Sequence, residues 1–417
     1  MVSLFLYIIK VFYMKLRFSF LVLALIMTSM GLRAHTTDDF RKWLQAGGKG
    51  TVGEQSFAGK ALSAADADAA VQTIQNHFNT VNASRFADIW KNQRIHRDSL
   101  TMRFMYRVYG DKPADGRSLY ISMHGGGGTT PDVNDQQWQN QIVLYHPQEG
   151  IYVAPRSLED VWDMWFRPYL DGFYEELIQS AVKEFGVNPD KVYITGYSAG
   201  GDGTFRMAPR MADHWAAALM CAGHPGNTSP IGLRNLPFGM WIGLADGAYE
   251  RNLHGKEWCA ALAALHQADP EGYVTNTNMP LTGHWMNQMD TVAFHWMGQF
   301  KRNPYPQKVV WKQDSTYLNT AMYWLSMAKD KVAPGGLVVA EHYGNEFTID
   351  ECYAPEIVIG LNDRMIDYAK PVVVRYHGKE LFRGKVKRTV GDIYTSWQER
   401  KDPCYAFSTR LTVRLKD

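Results

Sequence analysis

Cysteine is scarce in this chain. Its 417 residues hold four, Cys221, Cys259, Cys352 and Cys404. Four cysteines allow three pairings, and Cys221–Cys259 with Cys352–Cys404 would keep each bridge within one domain. Free buried thiols are the alternative. Excess charge is also missing. The formal net charge is +2, and Lys10, Lys15, Arg17 and Arg33 sit in the first 34 residues, which carry no acid. Without that segment the balance is 2 − 4 = −2. A general polyanion-binding role is therefore excluded, and no nucleic-acid partner is expected. No close cluster of His, Cys and Asp suggests a metal. No Lys-Ser/Thr pair follows the run of four glycines at 125–128, and no Gly-x-Gly-x-x-Gly with a downstream acid fits it. A nucleotide-phosphate loop is excluded, and no cofactor is expected.

Long apolar runs are absent with one exception, residues 18–27. Lys15 and Arg17 precede that run, and small or polar residues follow it to Ala34. This is the pattern of a secretory signal peptide over residues 1–34, with Met14 as an alternative start. Lys10, Lys15 and Arg17 interrupt any longer apolar stretch, so no stable membrane span is expected. No cysteine follows the run, which disfavours a lipid anchor. The expected location is the periplasm or outside the cell. The remaining composition, 46% hydrophobic and 21% charged, is ordinary for a folded globular chain.

Periodicity divides the rest. Residues 35–95 are alanine-rich and read as helical. Ser63 and Asp66 can cap a helix whose apolar positions include Val71, Ile74 and Phe78. Strand signals begin near Leu100, in a domain set at 96–303. The turn at 110–116 joins two strands, and 117–303 alternates strands with helices, the pattern of a mostly parallel α/β sheet. Asn303-Pro304-Tyr305-Pro306 looks like a boundary. Beyond it, residues 356–361, 371–376, 381–386 and 407–413 read as short strands. A small β-sandwich-like domain is expected over 304–417, with a hairpin turn at 377–380. Its tail, residues 370–417, holds twelve Lys or Arg against five Asp or Glu. Contact with an acidic polysaccharide is one reading, and a solvated strand face is the other.

The pattern most charged with chemistry is Gly196-Tyr197-Ser198-Ala199-Gly200. An apolar strand-like run, 192–195, precedes it, and a helix can start after it. A serine on such a sharp strand-to-helix turn is pushed out of the sheet, beside the unpaired N–H groups of the helix start. Residues 118–123 alternate like a strand and run into His124 and the four glycines. Backbone N–H groups of Gly125 or Gly126, with that of Ala199, would bind an oxyanion. His124 is expected to brace this loop. A buried strand over 238–245 ends at Asp246, a helix is expected over 254–266, and a short strand over 273–275 precedes the loop with His284. The order Ser198, Asp246, His284 places each at or beyond a strand C-terminus. Asp202 reads better as a charge in the first turn of the elbow helix, and His254, His266 and His295 as helix residues.

Residues from about 100 to 303 resemble the secreted esterase and depolymerase branch of the α/β-hydrolases. That branch includes feruloyl esterases, acetylxylan esterases, polyhydroxybutyrate depolymerases and related peptidases. The resemblance rests on HGGGG at 124–128, GYSAG at 196–200, LADG at 244–247 and GHW at 283–285. It implies an α/β-hydrolase fold, with Ser198 as nucleophile, His284 as general base and Asp246 as its orienter. Such a serine forms an acyl-enzyme that water then hydrolyses. Trp162, Trp165 and Trp285 gather near this pocket and are candidate walls for a sugar or an aromatic acyl group. No hydrophobic lid is evident. The expected substrate is a small or polymeric ester. A peptidase of the same fold, or a binding protein that keeps the fold without catalysis, are the alternatives.

Overall fold

The computed structural model describes residues 36–314 and 317–415. The expected signal segment, residues 1–34, lies outside them. Among the described residues, no helix is long and apolar enough to cross a membrane. Residues 36–45 form helix α1 and Ala64–Val81 form α2. Ser63 Oγ accepts the Asp66 N–H at 3.1 Å, as its capping position predicts. Ile74 is buried, and Val71 and Phe78 pack against the same core.

The chain then runs through α3 (Ala83–Asn92), β1 (Arg94–Arg97), β2 (Leu100–Tyr109), β3 (Arg117–Met123), α4 (Pro131–Gln141), β4 (Gly150–Pro155) and α5 (Leu170–Phe185). It continues through β5 (Val187–Tyr197), α6 (Ala199–Arg210), β6 (Ala217–Cys221), β7 (Phe238–Trp241), α7 (Arg251–Ala268), β8 (Thr275–Asn278) and α8 (Thr291–Met297). The eight strands form one sheet in the order β1-β2-β4-β3-β5-β6-β7-β8. β2 is antiparallel to β1 and β4, and every pairing from β4 to β8 is parallel. β4 and β6 are buried at every position, as strands covered on both faces must be. This is the α/β-hydrolase architecture expected from the sequence. Its parallel strands end on one edge, and the segments after β3, β5, β7 and β8 all emerge there.

The turn at 110–116 joins two strands, β2 and β3, as expected, and β4 lies between them in the sheet. One local reading changes. The strand expected over 238–245 leaves the sheet after Trp241. Beyond that point Leu244 N donates to Pro280 O and Ala245 N to Thr282 O. Those bonds tie the segment before Asp246 to the segment before His284.

The C-terminal part contains β9 (Lys308–Lys312), β10 (Ala321–Met322), β11 (Leu325–Ser326), β12 (Leu337–Tyr343), β13 (Glu346–Cys352), β14 (Glu356–Leu361), β15 (Val372–Tyr376), β16 (Lys379–Gly384), α9 (Val390–Arg400) and β17 (Thr409–Arg414). They build separate sheets, β16-β15-β13-β12-β9 and β10-β11-β14-β17. His377 and Gly378 turn the β15–β16 hairpin with φ of 47° and 78°.

The described chain divides differently from a cut at residue 304. Among the described residues, one compact unit gathers 36–80, 360–363 and 386–410; the other holds 81–359, 364–385 and 411–415. The cause is α9, which the strand pattern did not foresee. Val390, Ile393 and Trp397 share a core with Phe40, Leu44 and Ile74. Cys221 and Cys259 are free thiols, so one of the suggested bridges is absent.

Candidate active site

Ser198 sits between β5 and α6 with φ 58° and ψ −119°, a conformation that a residue with a side chain adopts only under constraint. The constraint comes from both sides. Its N–H donates to Cys221 O at the end of β6, and its carbonyl accepts the Asp202 N–H inside α6. The hydroxyl is thereby presented at the sheet edge. His284 Nε2 lies 2.9 Å from Ser198 Oγ, and His284 Nδ1 lies 2.7 Å from Asp246 Oδ2. The structure thus joins the three residues, drawn from three separate loops, in one hydrogen-bonded line.

Asp246 is 2% exposed, and Arg251 Nη1 lies 3.7 Å from its other oxygen. A buried carboxylate without such partners would be costly. Asn252 holds the loop, donating its backbone N–H to Asp246 O and its side-chain amide to Leu244 O. Asp202 falls in the first turn of α6, as expected, and accepts the His224 N–H at 2.6 Å. Burial pushes its carboxyl up to about 6. His254 and His266 lie in α7 and His295 in α8, none of them in this line.

The glycine run lies against the elbow. Gly125 and Gly126 line the same cleft as Ser198 and His284. Gly126 has φ 104°, and a Cβ there would fall 1.9 Å from Asn134 Oδ1. Asn134, fully buried in α4, explains the tightness. It accepts the Gly127 N–H at 3.0 Å and donates to Gly127 O at 2.9 Å and to Asp160 at 2.8 Å. Asp160 is in turn paired with Arg156. His124 braces the loop from below. Its Nε2 accepts the Ser157 N–H, so Nδ1 carries the proton and donates to Gly125 O. Burial pushes its pKa down to about 4, which keeps the ring neutral. Ala199 begins α6, where helix geometry leaves its N–H without an intrahelical partner.

The cleft has a volume of about 580 Å³. Besides the residues above, its walls include Gln137, Asn140, Gln141, Val143, Leu144 and Gln288. No Asp, Glu, Lys or Arg is among its lining residues.

The three tryptophans separate. Trp285 lines the cleft and is half-exposed. Trp165 does not reach it, which corrects the expectation for that residue. It is 0% exposed, because its indole N–H finds a partner in His124 O at 2.8 Å. Trp162 is exposed beside Gly128, with its ring against Phe166, outside the lining residues.

Sequence reasoning missed Asn134, Gln137, Gln288 and Tyr197. Tyr197 donates to His284 O at 2.8 Å and accepts the Met286 N–H at 2.9 Å. Its place between Gly196 and Ser198 was the available signal, since that position must lie within reach of whatever faces the serine.

No family model and no curated protein matches the chain. Similar solved structures include a thermostable esterase, 17% identical over 51% of this chain and 64% of that one, with TM-score 0.37. This chain therefore spans less than two thirds of that esterase's length. A ferulic acid esterase is 15% identical over 49% of this chain and 95% of that one, TM-score 0.37. Poly(aspartic acid) hydrolase-1 from Sphingomonas sp. KT-1 is 14% identical over 49% and 97%, TM-score 0.38. Likeness at this level decides nothing about the site.

Proposed function

We propose that this chain is a serine hydrolase that cleaves carboxylic esters through an acyl-enzyme. The observation that carries the reading is the line Asp246, His284, Ser198, with bonds of 2.7 and 2.9 Å, ending on a serine held at φ 58° beside a glycine loop. His284 Nε2 takes the hydroxyl proton as Ser198 Oγ attacks the ester carbon. The N–H groups of Ala199 and of Gly125 or Gly126 receive the oxyanion; one such donor is worth about 3 kcal/mol. Collapse expels the alcohol, which takes its proton from the imidazolium. Water then attacks the acyl-enzyme, with His284 again as base. Asp246 holds the Nδ1 tautomer and stabilises the imidazolium.

The neutral cleft supports an uncharged ester. The amides of Gln137, Asn140 and Gln288, beside the Trp285 ring, suit a hydroxylated partner such as an ester-decorated polysaccharide, and a small ester or polyester fits the same walls. The apolar run at 18–27 supports export to the periplasm or the medium. The basic strands of the C-terminal part are the proposed contact with a polysaccharide. Initial rates on acetyl, butyryl and feruloyl esters, beside short peptide amides, test the reading. Ester turnover lost in Ser198→Ala supports it. Turnover of peptides alone would make the chain a peptidase, and none at all would leave a binding protein.

A further inference from the structure

The loop that carries His284 holds unfavourable backbone angles. Asn287 and Gln288 have φ of 53° and 60°, two adjacent side-chain-bearing residues in the left-handed region. Met289 N donates to Met286 O at 3.0 Å and closes the turn around them. Turns with positive φ at both central positions favour Asn followed by Gly. Asn287 suits its place and Gln288 does not. Such angles persist only where the surroundings impose them.

Tyrosines grip this loop at both ends. At one end the Tyr197 hydroxyl bonds the two backbone groups that flank Trp285, the carbonyl of His284 and the N–H of Met286. At the other end Tyr145 donates to the buried carboxylate of Asp290. Tyr197 closes the rigid strand β5 and is 7% exposed, so its ring cannot swing away. Burial raises its phenol pKa, and the hydroxyl keeps the proton that it donates. The His284 side chain is 42% exposed. Its two side-chain bonds fix the ring only if the backbone beneath it stays in place.

We propose that Tyr197 is a positioning residue, whose hydroxyl clamps the His284 backbone so that Nε2 stays within bonding reach of Ser198. The proposal rests on the serine-hydrolase reading above. One strand end then carries both halves of the reacting pair: Ser198 by peptide linkage and His284 by the hydroxyl of the residue before it.

Tyr197→Phe keeps the ring and deletes the clamp. On an activated short ester, at a temperature where circular dichroism shows both proteins folded, kcat falls about ten- to hundredfold while KM moves less than about twofold. In a His284→Ala background the same substitution changes the residual rate less than about twofold, because the clamp acts through His284. Unchanged kcat in Tyr197→Phe, or an equal loss in both backgrounds, overturns the proposal. Hydrogen exchange of the wild-type protein gives a second test that needs no variant. The Met286 amide is protected, although Trp285 and Asn287 beside it are exposed; rapid exchange at Met286 also overturns the clamp. Absent turnover in the wild type would instead defeat the hydrolase reading, and the Met286 amide would still judge the clamp.

Discussion

Gly200 lies so close to Met123 that a Cβ built on it would sit 2.1 Å from the Met123 carbonyl oxygen. Gly196 meets the carbonyl of Gly200 at the same separation. Neither has a positive φ, so contact and not dihedral freedom demands glycine here. The atom in the way is backbone at the end of β3, which cannot turn aside as a side chain would. Gly200→Ala should push α6 off the sheet and cost about 3 kcal/mol or more of unfolding free energy. Denaturant titration measures it. A loss under about 1 kcal/mol would mean that the elbow is looser than its geometry.

His124 makes stability depend on pH. The folded ring titrates near 4, against 6.5 for an ordinary histidine. Between those values the unfolded chain binds a proton that the folded chain does not. The contribution of this group is therefore full above pH 6.5 and is lost as pH falls towards 4, by about 3 kcal/mol. Asp202 works the other way, because its raised pKa lets stability fall as pH rises towards 6. The whole-protein curve mixes the two, so the difference between variants is what to follow. The stability advantage of wild type over His124→Gln should shrink by about 3 kcal/mol from pH 7 to pH 4. Parallel curves would contradict the neutral buried ring.

Trp285 and Trp165 should fail in different ways. Trp285→Ala removes half-exposed cleft wall. It should raise KM for aromatic or sugar esters about tenfold, with stability changed by less than about 0.5 kcal/mol. Trp165→Phe strips the bond to His124 O from a closed core. It should cost about 2 kcal/mol of stability and leave KM unchanged. Thermal unfolding and steady-state rates on the same two proteins separate these outcomes; a shared phenotype would refute the assignment.

The site line was legible in the sequence because its chemistry is punctuated. Apolar runs mark strands, and the small residues after them mark where the chain turns at the sheet edge, so Ser198, Asp246 and His284 were placed in order. What was not legible depends on side chains that bond backbone atoms at no regular spacing. Asn134 bonds backbone atoms of Gly127, and Tyr197 bonds backbone atoms near His284; neither leaves a periodic trace. Trp165 and Trp285 look alike as letters. An indole finds its depth only when a carbonyl such as that of His124 meets its N–H.

Helix α9 is a different kind of miss, since its signals were present. Thr389 caps it by accepting the Asp392 N–H at 3.0 Å, and Ile393 and Trp397 stand four apart on its buried face. Strand-like neighbours on both sides hid that spacing. The boundary near 304 misled for a related reason. Prolines at 304 and 306 mark a bend in the chain, but Arg234 and Asn235 still bond Lys308 O, and Tyr323 N–H bonds Asp213. A change in local pattern does not require a change in packing.

The most direct measurement is the site of reaction with a fluorophosphonate, read by mass spectrometry of the digested protein. One adduct per chain, on the hydroxyl of Ser198, with labelling slowed at least about a thousandfold in His284→Ala, is the expected result. An unmodified Ser198 after prolonged exposure, or labelling that proceeds as fast without the imidazole, would contradict the account.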